Sequence, residues 1–290
     1  MIGHQWTGPN GSDFDLTNSP HGHILLSDKG IEGMGSPAAE SFTRQSAALA
    51  GQRFSGYRVT SRDVFWPIVI NGSDGLWFTK QRAFWDSLPF GEFGVWRVTA
   101  PDSSYRELTC RFADDGAGVY NIDPSDQGVE EFGVSLVADD PYWRGPLVSK
   151  SFQTAEETRP FFESEPTHVF NIMSANTVAD SSMANPGEID AWPVWKVQGP
   201  ATAFSLGAGG PVISADMVIR ADQYLQISTD PSVQVARLFT GSSSVLVPFS
   251  AFTSIQFARV PRGDSVPIAV ILNGSGSVEA SFHPGYRRAF

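Results

Sequence analysis

Asp139 and Asp140 stand side by side in "VADDPYWRGP", and Tyr142, Trp143 and Arg144 follow directly after Pro141. Two carboxylates beside aromatic rings are the equipment of a glycoside hydrolase, in which one acid protonates the leaving oxygen and the other attacks or activates water. Glu130, Glu131 and Glu188 are further candidates for such a pair. Adjacent residues on a strand point to opposite faces, however, so Asp139 and Asp140 can address one substrate only where the strand has ended. Pro141 ends it, and an Asp before Pro opens turns. The same five residues, Asp139, Asp140, Pro141, Tyr142 and Trp143, therefore also make a rigid joint, with an aspartate accepting backbone N–H groups and the two rings packed on the domain before it. The weight lies on the joint.

Other chemistry has thinner support. "GMGSPA" (33–38) matches the front of a dinucleotide fingerprint, but Pro37 interrupts it and no helix pattern follows. "GSDG" (72–75) is not a nucleophile elbow, because the G-x-S-x-G spacing is missing. His21 and His23 could share a metal, yet no third ligand stands at a recognisable spacing, so neither a metal nor a cofactor is expected. The single cysteine, Cys110, sits in the strand-like "ELTCRFA" and reads as a small buried hydrophobe. Sugar binding without catalysis rests on Trp192 and Tyr224, whose rings could stack on a glycan. Trp195 shares a strand face with Pro193 and Val197, so at least one of the two tryptophans of "WPVWKV" belongs to a core.

The elements that must position these residues are mostly strands. With 28 Gly, 20 Pro and 21 Phe but only 20 Lys plus Arg among 290 residues, short strands and tight turns are favoured over long helices. A net charge of −11 excludes a phosphate-gripping surface of the usual kind, which needs clustered cations. No secretion signal or membrane-length apolar run is visible, so a protein assembled in a cytoplasm is expected. Period-two runs mark strands at "FWPIVING", "GVWRVTA", "ELTCRFA" and "EEFGVSLVA". One segment breaks the pattern: a helix is expected near 74–88, capped by Ser73 or Asp74 and stopped by Pro89 and Gly91. Trp77, Phe78, Phe84, Trp85 and Leu88 share a stripe with Gln81 in its middle, which suits a core helix or a subunit contact. After residue 146 a polar, acidic crossover (151–166) leads to a second β-rich series that includes "THVFNIM". This pattern predicts a mainly β protein of two β-sandwich domains, 1–146 and 147–290.

The order of features resembles the distal tail protein family of long-tailed (siphovirus) bacteriophages, among the minor tail proteins of phages of actinobacteria. "GIEGMG", the helix between an Asn-Gly turn and "FGEFGVWRV", and the closing "VADDPYWRG" resemble that family's belt domain. "NPGEIDAWPVWKVQGP", "DQYLQISTDPSVQVARLFTG" and "VEASFHPGYRRAF" resemble its galectin-like, jelly-roll β-sandwich. The stretch 176–190 reads as a turn longer than the family's usual one. The resemblance implies a structural virion protein of the tail tip and no enzyme. It implies a homo-hexameric ring whose lumen passes DNA without binding it specifically. It also implies tail tube, tape-measure and hub or receptor-binding proteins as partners. A carbohydrate-binding role of the second domain on host-surface glycans is the alternative.

Overall fold

The protein is described by a computed structural model covering residues 2–17, 24–26, 30–72, 76–115, 126, 128–153 and 176–290. It is mainly β and divides into two compact units. The first comprises Met1–Pro146 together with Tyr286–Phe290, and the second comprises Leu147–Gly285. Residues 286–290 were expected with the second domain. Sequence order suggested that placement, and long-range packing overrides it.

The first unit contains strands β1 (Gly3–Thr7), β2 (Asp13–Asp15), β3 (Ile24–Leu26), β4 (Ala39–Ser46), β5 (Leu49–Val59) and β6 (Arg62–Asn71). Helix α1 (Trp77–Trp85) follows, then β7 (Phe93–Thr99), β8 (Tyr105–Asp114), β9 (Val129–Ala138) and β10 (Trp143–Arg144). An antiparallel sheet runs in the order β2-β1-β7-β8-β9-β6-β3. Its edge strands β2 and β3 approach each other, so the sheet curls around one face. Alternation decides which side chains that face receives. Val64, Trp66, Ile68 and Ile70 come from β6, Trp96 and Val98 from β7, and Leu108, Cys110 and Phe112 from β8. β9 adds Val134, Leu136 and Ala138.

Four tryptophans are among its largest fully buried side chains. Trp6, Trp66, Trp96 and Trp143 succeed one another with ring centroids 5.3, 5.3 and 5.0 Å apart, edge-on or tilted, as ring quadrupoles prefer. The close fit explains Gly94, where a Cβ would lie 2.2 Å from the Trp6 ring. Apart from this sheet, β4 and β5 form a two-stranded hairpin of their own.

The second unit contains β11 (Val148–Gln153), β12 (Asn176–Ala184), β13 (Val194–Gln198), β14 (Ala203–Ala208), β15 (Val212–Ala215) and β16 (Gln223–Ser228). It continues with β17 (Val235–Thr240), β18 (Ser243–Leu246), β19 (Ser254–Ile255), β20 (Ser265–Asn273) and β21 (Ser277–Phe282). Two sheets result, ordered β11-β21-β13-β16-β17-β18 and β12-β20-β14-β15-β19. Trp195, Val197, Leu225, Ile227, Val278 and Ala280 from the first sheet share one core with Phe204, Leu206, Ile213, Ile268, Val270 and Leu272 from the second. This is a β-sandwich in which inward residues alternate along β13, β16, β20 and β21. One local expectation fails: residues 176–184, read as part of a turn, form the strand β12 against the whole length of β20. The polar residues Asn176, Thr177, Asp180, Ser181 and Ser182 interrupt any apolar alternation, so only pairing with an apolar neighbour reveals the strand.

Candidate functional site

The acid pair is held apart by its own arginines. Asp139 faces Arg111 at 3.2 Å, whereas Asp140 takes Arg144 at 2.5 Å. Asp140 Oδ1 also accepts the Tyr142 backbone N–H at 3.3 Å, a turn-opening bond. Trp143 is fully buried against Trp96, and Pro141 offers its carbonyl to Arg62 at 2.8 Å. Tyr142 is half-buried, and burial pushes its phenol up from the ordinary tyrosine range. The two carboxylates are thus paired separately on an exposed turn.

Arg62 is the buried charged side chain that sequence reasoning missed. It occupies the inward phase of β6, two residues before Val64, and is buried. Its Nε donates to Pro141 O, its Nη1 to Gly33 O at 2.6 Å and to Gly35 O, and its Nη2 to Arg287 O at 2.8 Å. Burial lowers its pKa, with Cys110, Asp140 and Tyr142 acting in the opposite direction. The visible signal was a lone arginine in the apolar phase of an alternating strand. That arrangement demands partners.

Helix α1 buries Trp77 and Phe84, and Leu88 follows on the same side. Phe78, expected in the buried stripe, is 54% exposed and lies edge-on to Trp77. Gln81 Nε2 donates to Glu130 Oε2 at 3.3 Å, and Trp85 is half-buried and stacks on Phe132 at 5.1 Å. The narrower stripe is what nine helical residues can press onto one sheet. Beyond the helix, Phe90 is 80% exposed and rests edge-on against Phe112, which in turn meets Trp85.

The two residues proposed for glycan contact are not brought together. Tyr224 pairs with Gln198 at one end of β13, while Trp192 precedes its other end. The length of β13 keeps them about 13 Å apart along the strand, too far to share one sugar ring. Two neighbours also lie against the Tyr224 ring. Phe239 stacks on it at 4.7 Å with 7° between the planes, and Lys196 Nζ lies 4.6 Å from the ring centroid.

Nearly all the described side chains of hairpin β4–β5 are exposed, with Val59 half-buried. Glu40 pairs with Arg58 at 2.8 Å, whereas Arg44 stands directly opposite Arg53. Phe54 and Tyr57, 66% and 61% exposed, stack on each other at 6.5 Å.

Cys110 is buried, and desolvation pushes its thiol far above the range in which a thiolate forms. Among the described residues no group of three His, Cys, Asp or Glu could hold a metal ion, and no helix is long and apolar enough to cross a membrane. His21, His23, Ser73, Asp74, the segment 154–166 and "THVFNIM" lie outside the described residues.

Comparison with known proteins finds tail components. The minor tail protein Gp27 of Mycobacterium phage L5 is 26% identical over 157 residues, 52% of this chain. The match spans about half that protein's length, 46%. The fold is similar to that of the SPP1 Dit protein (gp 19.1), a paradigm of the hub adsorption apparatus in Gram-positive infecting phages, with a TM-score of 0.61 at 12% identity. That likeness covers 97% of this chain and 98% of the other. A chain of the phage P2 baseplate in its activated conformation with Ca gives 0.52 at 8% identity, with the same coverage of each chain. No family model matches the sequence. The resemblance to distal tail proteins read from the sequence thus holds in the fold along nearly the whole chain.

Proposed function

We infer, from a fold shared with a distal tail protein along 97% of the chain, that this protein is a structural component of a phage tail tip. It forms a homo-hexameric ring that adapts the tail tube to the hub or receptor-binding proteins. The first unit builds the ring, and the second carries contacts to neighbouring tail proteins. The tape-measure protein and then the DNA pass through the lumen. A surface with a net charge of −11 suits a channel to which a polyanion does not adhere. The separate pairing of Asp139 and Asp140 and the buried Cys110 fit a scaffold in which these groups do no chemistry.

The single observation that carries the reading is the likeness of fold across both units at once. Electron microscopy of the purified chain in negative stain tests it, with rings of sixfold symmetry and a central hole as the expected image. A protein that stays monomeric in analytical ultracentrifugation at high concentration would remove the ring. An assembled ring that fails to bind tail tube or hub proteins would remove the adaptor role.

A further inference from the structure

The sandwich of the second unit has four edge strands, β11, β18, β12 and β19. An edge strand offers unpaired backbone groups to any extended chain, and proteins guard such edges with charge or brevity. β11 carries Lys150 in its inward phase, opposite the buried Ala280. β12 carries Asp180, and β19 is two residues long. β18 has no such guard. Its residues Ser243–Leu246 are uncharged, and Val245 and Leu246 are 67% and 61% exposed.

The register fixes which backbone groups lie open. Val247 N–H donates to Ala236 O at 2.9 Å. Bonded and non-bonded pairs alternate along an antiparallel ribbon, so Leu238 with Val245 and Thr240 with Ser243 exchange hydrogen bonds. Ser244 and Leu246 are the non-bonded residues, and their N–H and C=O groups point away from β17. No described residue hydrogen-bonds to those groups. The side chains tell the same story. Val245 lies beside Leu238 in the inward phase, a core position with its outer neighbour missing. Leu246 lies beside the exposed Arg237, with which no described residue forms an ion pair.

These features specify one occupant. Backbone donors and acceptors at strand spacing are matched by another extended polypeptide. Its residue opposite Val245 is apolar, because that residue completes the inward face. A carboxylate on its outer side would stand two strand spacings, about 10 Å, from Arg237, within reach of a glutamate and an arginine extended over Leu246. We propose that β18 is a docking edge at which an acidic segment of alternating apolar pattern, from a neighbouring tail protein, adds as a further strand. The proposal rests on the adaptor reading and gives the contacts of the second unit a place and a chemistry.

The probe is a fluorescein-labelled peptide, Thr-Val-Glu-Val-Glu-Val, titrated with the full-length protein and followed by anisotropy. Saturable binding is expected, lost when the pairing edge of the peptide is N-methylated and weakened about tenfold when lysine replaces glutamate. Ser244→Pro removes an outward N–H without touching a bond to β17, and Leu246→Lys sets a charge on the edge. Each should weaken binding about tenfold or more. Arg237→Glu should reverse the preference between the two peptides. All three changed residues are exposed, so circular dichroism and the unfolding midpoint should match the wild type. Equal binding by the wild type and the edge variants, or by the N-methylated peptide, overturns the added strand. Equal binding of the glutamate and lysine peptides overturns the acidic occupant. An unbound peptide, with a wild-type oligomer that Leu246→Lys dissolves, assigns the edge to a second copy and overturns the proposal. Sixfold rings that leave the peptide unbound overturn the added strand and keep the ring reading. Peptide bound by a monomer supports the added strand and removes the ring.

Discussion

Arg62 shows how much one side chain can organise. Its guanidinium donates to carbonyls of the 33–35 loop, of Pro141 and of Arg287. Hydrogen bonds from charged donors contribute about 1.5–3 kcal/mol each. Arg62→Ala should therefore cost at least about 3 kcal/mol in urea unfolding. Arg62→Lys should recover less than half of that, because an ammonium cannot reproduce the planar fork. The joint acids should behave differently: Asp139→Ala and Asp140→Ala should each cost under about 1 kcal/mol, as exposed ion pairs do. His4 gives a pH dependence. It is buried and stacked on Trp96, and burial holds its pKa below the ordinary value of 6.5, opposed by Asp15. The unfolded chain therefore binds the proton more readily than the folded one. The contribution of His4 to stability is complete above pH 6.5 and is lost as the pH falls from there towards the lowered value. Unfolding followed from pH 7 to 5 should show this slope, and His4→Gln should flatten it.

At the scale of elements, alternation told most of the story where one face is buried. β6, β7, β8 and β9 were legible because every second residue from Val64 to Ile70, at Trp96 and Val98, and from Val134 to Ala138 is apolar and enters one core. Helix α1 was legible from its stop at Pro89, but its buried width was overread at Phe78. Hairpin β4–β5 was not legible, since a ribbon with no core has no buried phase to print on its sequence. β12 was hidden for a related reason: its polar residues follow the register of β20 and not an alternation of their own. Tyr224 teaches a different limit. Strand period fixes which side a ring occupies, while Phe239 and Lys196, which cover it, come from neighbouring strands. The tight sheet interior supplies a test at this scale. Gly94→Ala would set a methyl group against the Trp6 ring and should cost about 1–3 kcal/mol through overpacking, read as a lower unfolding midpoint and an altered near-ultraviolet circular dichroism spectrum.

For the whole molecule, the decisive feature is that the chain leaves the first unit at residue 146 and re-enters it at residue 286. Ala289 is buried in the first core, Arg287 O accepts from Arg62, and the Arg106 guanidinium lies 3.7 Å from the centre of the Tyr286 ring. Removing residues 286–290 should therefore destabilise the first unit, by at least about 3 kcal/mol, and leave the sandwich unchanged. Tryptophan fluorescence separates the two, because Trp6, Trp66, Trp96 and Trp143 report the first core and Trp195 the second. The double crossing also imposes an order of events during translation. While the ribosome is still adding residues, the sandwich between positions 147 and 285 can fold as soon as it emerges. The first unit is completed only by residues 286–290, so Arg62 lacks one of its acceptors until synthesis reaches them. If subunits meet through that unit, nascent chains on one messenger are kept from joining until residues 286–290 have been made, and pulse proteolysis of stalled chains should find the sandwich protected first.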